Sequence, residues 1–358
     1  MVKRAPRFSV LLPTHNRADV LGCAIESVLA QTEHNFELLI VGDGCTDNTS
    51  RVVGRYLGDK RVQWFDFPKG PGFGYNHRNS VLKKARGKYI SFVGHDDILF
   101  PDHLAILGNH LDVNKKADIV YSRALWVDRN GQIMPSNFNL NNKSMLRFFM
   151  DVGNTVPASP FVHRRSCFNK VGYWNEKMPG IGDWDMWRRI IAAGHEKNVI
   201  FEPQPTTLHF IASWRNNKQF EAWPHVLATT FAKKNHLSQK ELKVSLTKGK
   251  PEQVFFWRAI SAESGKWVSD IRRATISLID AVNYYGIQEI SRLQSSEIRA
   301  RKLETANAGL KKQLSEHEDR LNKIQSSLTF RLHSRFFLKV SPNSRLHRGL
   351  RGIVRRLI

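Results

Sequence analysis

The sequence predicts an α/β protein: a mainly parallel sheet flanked by helices, followed by a helical C-terminal region with a coiled-coil-like segment. Three observations predict it. Short apolar runs alternate with helical patterns through the first hundred residues, and strands separated by single helices imply right-handed crossovers and parallel pairing. From about residue 221 the strand pattern gives way to helical periodicity. Residues 303–328 then carry a heptad seam in which steps of four and three alternate.

Taken in order, Phe8-Ser9-Val10-Leu11-Leu12 reads as a buried strand ending at Pro13. A helix follows from about Asp19 to Gln31, with Leu21, Ile25, Val28 and Leu29 on one face. Residues 36–41 form a second strand. It runs into the turn-rich Gly42-Asp43-Gly44-Cys45-Thr46-Asp47-Asn48-Thr49, where Asp47 or Thr49 caps the next helix. Val62–Phe65 is a third strand, Asn76–Ala85 a helix, and Lys88–Val93 a fourth strand entering Gly94-His95-Asp96-Asp97. Residues 118–135 read as a hairpin turning at Arg129-Asn130-Gly131, 183–193 as an amphipathic helix and 199–215 as extended chain. The expected organisation is a catalytic domain over 1–220, a helical extension over 221–285, a coiled-coil-like helix over 286–329 and a basic amphipathic tail over 330–358. In parallel sheets ligands bind beyond the carboxyl ends of the strands. Polar residues cluster there: Thr14 to Arg17, Asp43, and Asp96 with Asp97.

With 41% hydrophobic residues, 23 Gly and 14 Pro among 358, collagen-like, low-complexity and wholly disordered chains are excluded. No apolar run approaches the roughly 18 residues of a spanning helix, and the run before Pro13 is shorter than a secretory leader requires. Cys23, Cys45 and Cys167 are too widely spaced for a zinc site or a disulfide framework, which suits a reducing compartment. The net charge of +23 is concentrated late: no acidic residue follows Asp319, and residues 330–358 hold eight Lys and Arg among apolar side chains. A tail of that kind meets an anionic membrane surface, nucleic acid or an acidic partner. The seam Leu303, Asn307, Leu310, Leu314, His317, Leu321, Ile324, Leu328 suits self-association.

Two acidic sites carry the chemistry. Asp96 and Asp97 end an apolar strand, and clustered carboxylates repel unless a cation joins them. Mg²⁺ and Mn²⁺ favour such oxygen ligands and hold a diphosphate with only one or two protein carboxylates. Asp183 and Asp185 begin an amphipathic helix beside Trp184 and Trp187, where aromatic neighbours desolvate a carboxylate that has to accept a proton. At both sites the plain alternative is capping of a helix N-terminus.

The order of these motifs resembles a family-2 glycosyltransferase with the Rossmann-like GT-A fold. The resemblance rests on SVLLPTHNRADVLGCAIESVLAQT, FELLIVGDGCTDNT, HRNSVLKKARGKYISFVGHDD and GDWDMWRRI, and covers roughly residues 7–215. It implies that Pro13, Thr14 and Asn16, with Arg17 beside them, form the loop that holds the nucleotide. Asp43 matches the acid that hydrogen-bonds the base, and Arg78 an arginine near the diphosphate. Asp96 and Asp97 match the metal-binding motif, with Asp97 the direct ligand of Mn²⁺ or Mg²⁺, and His209 falls where related enzymes place a metal-ligating histidine. Asp183 matches the base that deprotonates an acceptor hydroxyl, which then attacks the anomeric carbon with inversion. Three expected acids are glycines here: Gly42, Gly94 and Gly182.

The expected function is transfer of one sugar from a nucleotide-diphosphate sugar to a glycan or lipid-linked acceptor. The expected setting is bacterial surface polysaccharide synthesis, in the cytoplasm or at the inner face of the membrane, with the basic tail on the anionic surface. The Gln-x-x-Arg-Trp motif of processive synthases is absent. Gly70-Pro71-Gly72-Phe73-Gly74 reads as a flexible loop over the site. The competing expectations are an inactive scaffold assembling through residues 303–328, and a basic nucleic-acid-binding protein, for which no zinc module or RNA-recognition motif is found.

Overall fold

The computed structural model describes residues 5–194, 198–211 and 240–304. Most of the predicted coiled-coil segment and the whole basic tail lie outside the described residues, as do 212–239 of the expected extended and helical stretches.

Strands β1 (Phe8–Thr14), β2 (Phe36–Asp43), β3 (Val62–Phe67) and β4 (Tyr89–Phe92) alternate with helices α1 (Leu21–Leu29), α2 (Thr49–Gly54) and α3 (Tyr75–Leu82). They pair in parallel in the order β3-β2-β1-β4, with Phe8 opposite both Phe36 and Tyr89. In β1, β2 and β4 the sequence is near-continuously apolar because both of their faces are covered, whereas the edge strand β3 is only partly buried. Their side chains alternate between two cores. Leu11, Leu39 and Val41 pack with the later helices, while Val10, Leu12, Leu38 and Ile40 pack under α1. The N-cap of α2 is Asn48, whose side chain makes no cap bond; the expected Asp47 stands one residue earlier and accepts a hydrogen bond from Thr49 N–H (2.9 Å).

Beyond β4 the sheet turns mixed. Its remaining strands are β5 (Ile98–Leu99), β6 (Ile119–Val127), β7 (Ile133–Pro135), β8 (Phe161–Arg164) and β9 (Val199–Phe210). β8 pairs antiparallel with β4 and β6, and β9 runs parallel to β6 with two register shifts near Arg123. The expected hairpin is β6–β7, turning through Asp128–Gly131. Helices α4 (His103–Val113), α5 (Lys143–Asp151) and α6 (Cys167–Val171) and strands β5 and β8 were not anticipated. Signals for two of them are present: Leu104, Leu107 and Leu111 stripe α4, and Asn142 caps α5 through Ser144 N–H and Met145 N–H.

Helix α7 (Gly182–Gly194) lies as predicted. The C-terminal part contributes α8 (Glu252–Ala262) and α9 (Ser264–Glu304). Phe256, Ile260, Val268, Ile271 and Leu278 form a third core with Ile98, Phe100, Leu125, Leu208 and Phe210. Each such buried side chain contributes about 1.5–3 kcal/mol, so these helices are firmly docked on the sheet. Among the described residues no helix is long and apolar enough to cross a membrane.

Candidate functional site

A cleft of about 650 Å³ opens beyond the carboxyl ends of β1, β2 and β4. It is lined by Pro13, Thr14, Asn16, Arg17, Asp43, Arg78, Asp96, Asp183 and His209. Nine of the ten predicted site residues therefore share one space; the tenth, Asp97, stands behind its wall.

The loop after β1 is tied to the loop after β2. Asn16 adopts the left-handed backbone (φ 50°) that asparagine tolerates, and its Oδ1 accepts from Thr46 N–H (2.7 Å). Its side chain thus sets loop geometry. Asp43, at the end of β2, is nearly buried. Its carboxylate accepts from Gly70 N–H (2.7 Å) and is ion-paired with Lys69, while His77 Nε2 stands at 3.6 Å. The glycine-rich 70–74 segment bridges the cleft: Gly70 binds Asp43, and the Phe73 ring packs over Gly180, next to Asp183's helix. Gly74 (φ 68°) sits so close to Asp43 that a Cβ there would lie 2.7 Å from the carboxylate.

Arg78 projects from α3. Its guanidinium lies over the rings of Tyr75 (4.9 Å) and Trp174 (5.3 Å), and Nη2 donates to the Phe73 carbonyl (3.2 Å). Burial lowers its pKa, and the charges of Asp183 and Asp43 oppose that shift. The aromatic faces hold the cation in place at the cleft.

At the end of β4 the two carboxylates divide. Asp96 lines the cleft and pairs with Arg17 Nη1 (3.3 Å). Asp97 is 2% exposed; it accepts from Ser159 Oγ, and its Oδ1 lies 2.8 Å from His209 Nδ1. His209 and Ser159 hold the Asp97 pKa below the usual carboxylate range against the opposing effect of burial. The expectation that Asp97 is the direct metal ligand meets a geometry that separates the two carboxylates. Both of its oxygens are engaged inside the wall, whereas Asp96 presents its carboxylate to the cleft. His209, which does line the cleft, is oriented by Asp97 and packs edge-on against Trp126 at 4.6 Å. His95 also lines the cleft, and burial depresses its pKa. Among the described residues no three His, Cys, Asp or Glu side chains converge as a metal site. The donors present still fit a hard cation held mostly by substrate phosphates. Such ions take one or two protein ligands, and a histidine oriented through its other nitrogen by a carboxylate is a common one.

On the far wall Asp183 sits half-buried in the first turn of α7, with Asn154 Nδ2 3.5 Å from its Oδ2. Asp185 points elsewhere, to Arg189 Nε at 2.9 Å, so the two acids of that turn are not interchangeable.

The three glycines that replace expected acids share a physical reason. A Cβ at Gly42 would lie 2.4 Å from the Trp64 ring, one at Gly94 2.9 Å from Asp97 Oδ2, and one at Gly182 2.6 Å from Tyr75 Cζ. The space is already filled, and Gly182 N–H donates to the Tyr75 hydroxyl (2.9 Å). Restoring an acid through Gly182→Glu is therefore expected to destabilise the protein by about 1–3 kcal/mol, the usual cost of overpacking, measured by urea unfolding.

Sequence reasoning missed Lys69, Tyr75, Ser159 and Trp174, which shape the cleft from loops and helix starts. Only the glycine-rich stretch after Lys69 gave any signal.

Residues 9–172 match the family described as Glycosyl transferase family 2. The chain is 31% identical over 195 residues to an uncharacterized glycosyltransferase of Rickettsia felis, covering 52% of this chain and 31% of that protein. It is 29% identical over 204 residues to an uncharacterized glycosyltransferase of Methanocaldococcus jannaschii, covering 55% of this chain and 69% of that one. The match thus spans about a third of the first relative's length. Among solved structures, the mannosyltransferase PcManGT from Pyrobaculum calidifontis, in complex with GDP-Man and Mn²⁺, superposes with a TM-score of 0.47 at 14% identity, covering 87% of this chain and 84% of that one.

Proposed function

We propose that the chain, whose residues 9–172 match Glycosyl transferase family 2, is a glycosyltransferase that moves a single sugar from a nucleotide-diphosphate sugar to an acceptor hydroxyl, with inversion. The acceptor in this reading is a surface glycan or its lipid-linked precursor. One observation carries it: Asp43, Arg78, Asp96 and Asp183 line a single cleft.

Each residue then has a task. Asp43 accepts a hydrogen bond from the nucleotide base, exchanging one of its present partners, Lys69 or the Gly70 N–H. The loop from Pro13 to Arg17 seats the nucleoside. Arg78, already stacked on two rings, binds the diphosphate without having to be ordered on binding. Asp96, with His209 oriented by Asp97, would hold a Mn²⁺ or Mg²⁺ ion. Such an ion, when bound, offsets charge on the departing diphosphate. Asp183 takes the acceptor's proton as its oxygen attacks the anomeric carbon, and the nucleoside diphosphate leaves from the opposite face. The reading includes a domain ending near residue 220 and a tail that adds membrane-surface attraction of about 1 kcal/mol per basic residue.

The experiment is a thermal-stability screen of UDP-, GDP-, dTDP- and CMP-sugars with and without Mn²⁺. The donor is expected to stabilise by about 2.7 kcal/mol at a hundredfold excess over Kd. Asp96→Ala is expected to remove the metal-dependent part. No stabilisation by any of the four would overturn the reading.

A further inference from the structure

Between β4 and β5 the chain leaves the sheet for residues 93–97, and neighbours grip that segment from several sides. Gly94 N–H donates to Ser159 Oγ (3.0 Å), Ser159 and His209 hold the Asp97 carboxylate, and Arg17 holds that of Asp96. One more grip comes from α8, a helix beyond the family match: Gln253 Nε2 donates to the Asp96 carbonyl oxygen at 3.2 Å. Gln253 is 4% exposed, and its own Oε1 has no hydrogen-bond partner. A buried amide with an unpaired oxygen is a costly way to fill space, and an apolar side chain of equal volume avoids that cost. Docking of α8 does not require it. Phe256 and Ile260 are buried in the third core, and Trp257 Nε1 donates to Glu26 Oε2 (2.5 Å). What Gln253 alone does is fix the peptide joining the two carboxylates of the motif.

We propose that Gln253 is a positioning residue that holds the Asp96–Asp97 peptide so that the Asp96 carboxylate keeps one orientation toward the cleft. The helical extension is then part of the site. This rests on the reading of Asp96 as a metal-holding group.

The test uses the full chain and two measurements: Mn²⁺ binding by calorimetry in the presence of UDP and, separately, GDP, and amide hydrogen exchange of residues 94–97 without metal. Gln253→Met is expected to weaken Mn²⁺ binding about tenfold, the loss typical of removing a partner that orients a ligand. It is also expected to speed exchange across 94–97. Gln253→Leu likewise removes the donor; it is expected to behave alike and replaces the Met variant should that fail to fold. Trp257→Phe loosens the same helix and is expected to lower Tm with neither effect. If Asp96→Ala weakens Mn²⁺ binding while both Gln253 variants leave affinity and exchange unchanged, the positioning role falls alone. Matching losses in Trp257→Phe would reduce Gln253 to helix docking and also overturn it. Equal Mn²⁺ binding in wild type and Asp96→Ala would overturn both this inference and the reading of Asp96.

Discussion

Asp183→Asn is expected to lower the rate of sugar transfer by roughly 10³-fold while leaving donor binding intact, because a positioned general base supplies about 10²–10⁴-fold and the amide cannot take a proton. The substitution is isosteric. An uncharged residue in the first turn of α7 forfeits only about 0.3–1 kcal/mol of helix-dipole stabilisation, so the fold survives. No neighbour can substitute: Asp185, one turn position away, is committed to Arg189. Asp43 and Asp96, after strands β2 and β4, are paired with Lys69 and Arg17. Steady-state turnover together with calorimetric donor affinity checks the result. Turnover within a few-fold of wild type would remove Asp183 from the role of base, and loss of donor binding would mean that it shapes the donor pocket instead.

The second large effect is on stability in acid. His103 and His163 are fully buried. Burial pushes the pKa of His103 down to about 3 and that of His163 down to about 4. His103 Nδ1 lies 2.7 Å from Thr206 Oγ1, and the ring of His163 stacks on Phe92. An unfolded histidine titrates near 6.5. Below that pH the unfolded chain binds protons that the folded chain refuses, so stability is fully present above about 6.5 and is lost as pH falls toward 4 and then 3. At 1.36 kcal/mol per pH unit the losses reach about 3 kcal/mol for His163 and about 5 kcal/mol for His103. Paired carboxylates such as Glu37, whose pKa Ser9 and Arg86 hold down, add their loss only below about 4.5. Urea unfolding between pH 7.5 and 4.5 isolates the histidine part. Stability is expected to fall steadily across that range, and His103→Gln is expected to be less stable at pH 7.5 but to show a shallower slope. A flat profile would mean that these rings are not buried neutral.

Much of the cleft was legible because its parts sit at strand ends, where short apolar runs stop at polar residues. Leu12 to Arg17, Val41 to Asp43 and Phe92 to Asp97 each show that break. The strands β5 and β8 were not legible. A two-residue strand and a four-residue strand have too few positions to display a period, and both are defined by partners far along the chain, Thr207 with Leu208 and Tyr89 to Ser91. Helix α4 was legible in its leucine stripe and simply unread.

The assignment within the acidic pair shows the same limit at the scale of one residue. Adjacent aspartates look equivalent in a sequence, and nothing local tells which of them faces solvent. Ser159 and His209, 62 and 112 residues away, turn Asp97 inward and leave Asp96 at the cleft. The three glycines at 42, 94 and 182 read as missing acids until Trp64, Asp97 and Tyr75 are seen to occupy the space.

By itself the sequence determined the α/β class, the parallel sense of the first four strands and the residue types at their carboxyl ends, because periodicity and turn chemistry act between near neighbours along the chain. Only the tertiary structure decided which carboxylate meets the cleft, that Lys69 and Gly70 already bind Asp43, and that Gln253 of a later helix grips the Asp96 peptide. Those outcomes depend on which distant side chains compete for one small volume, and no spacing in the chain records that competition.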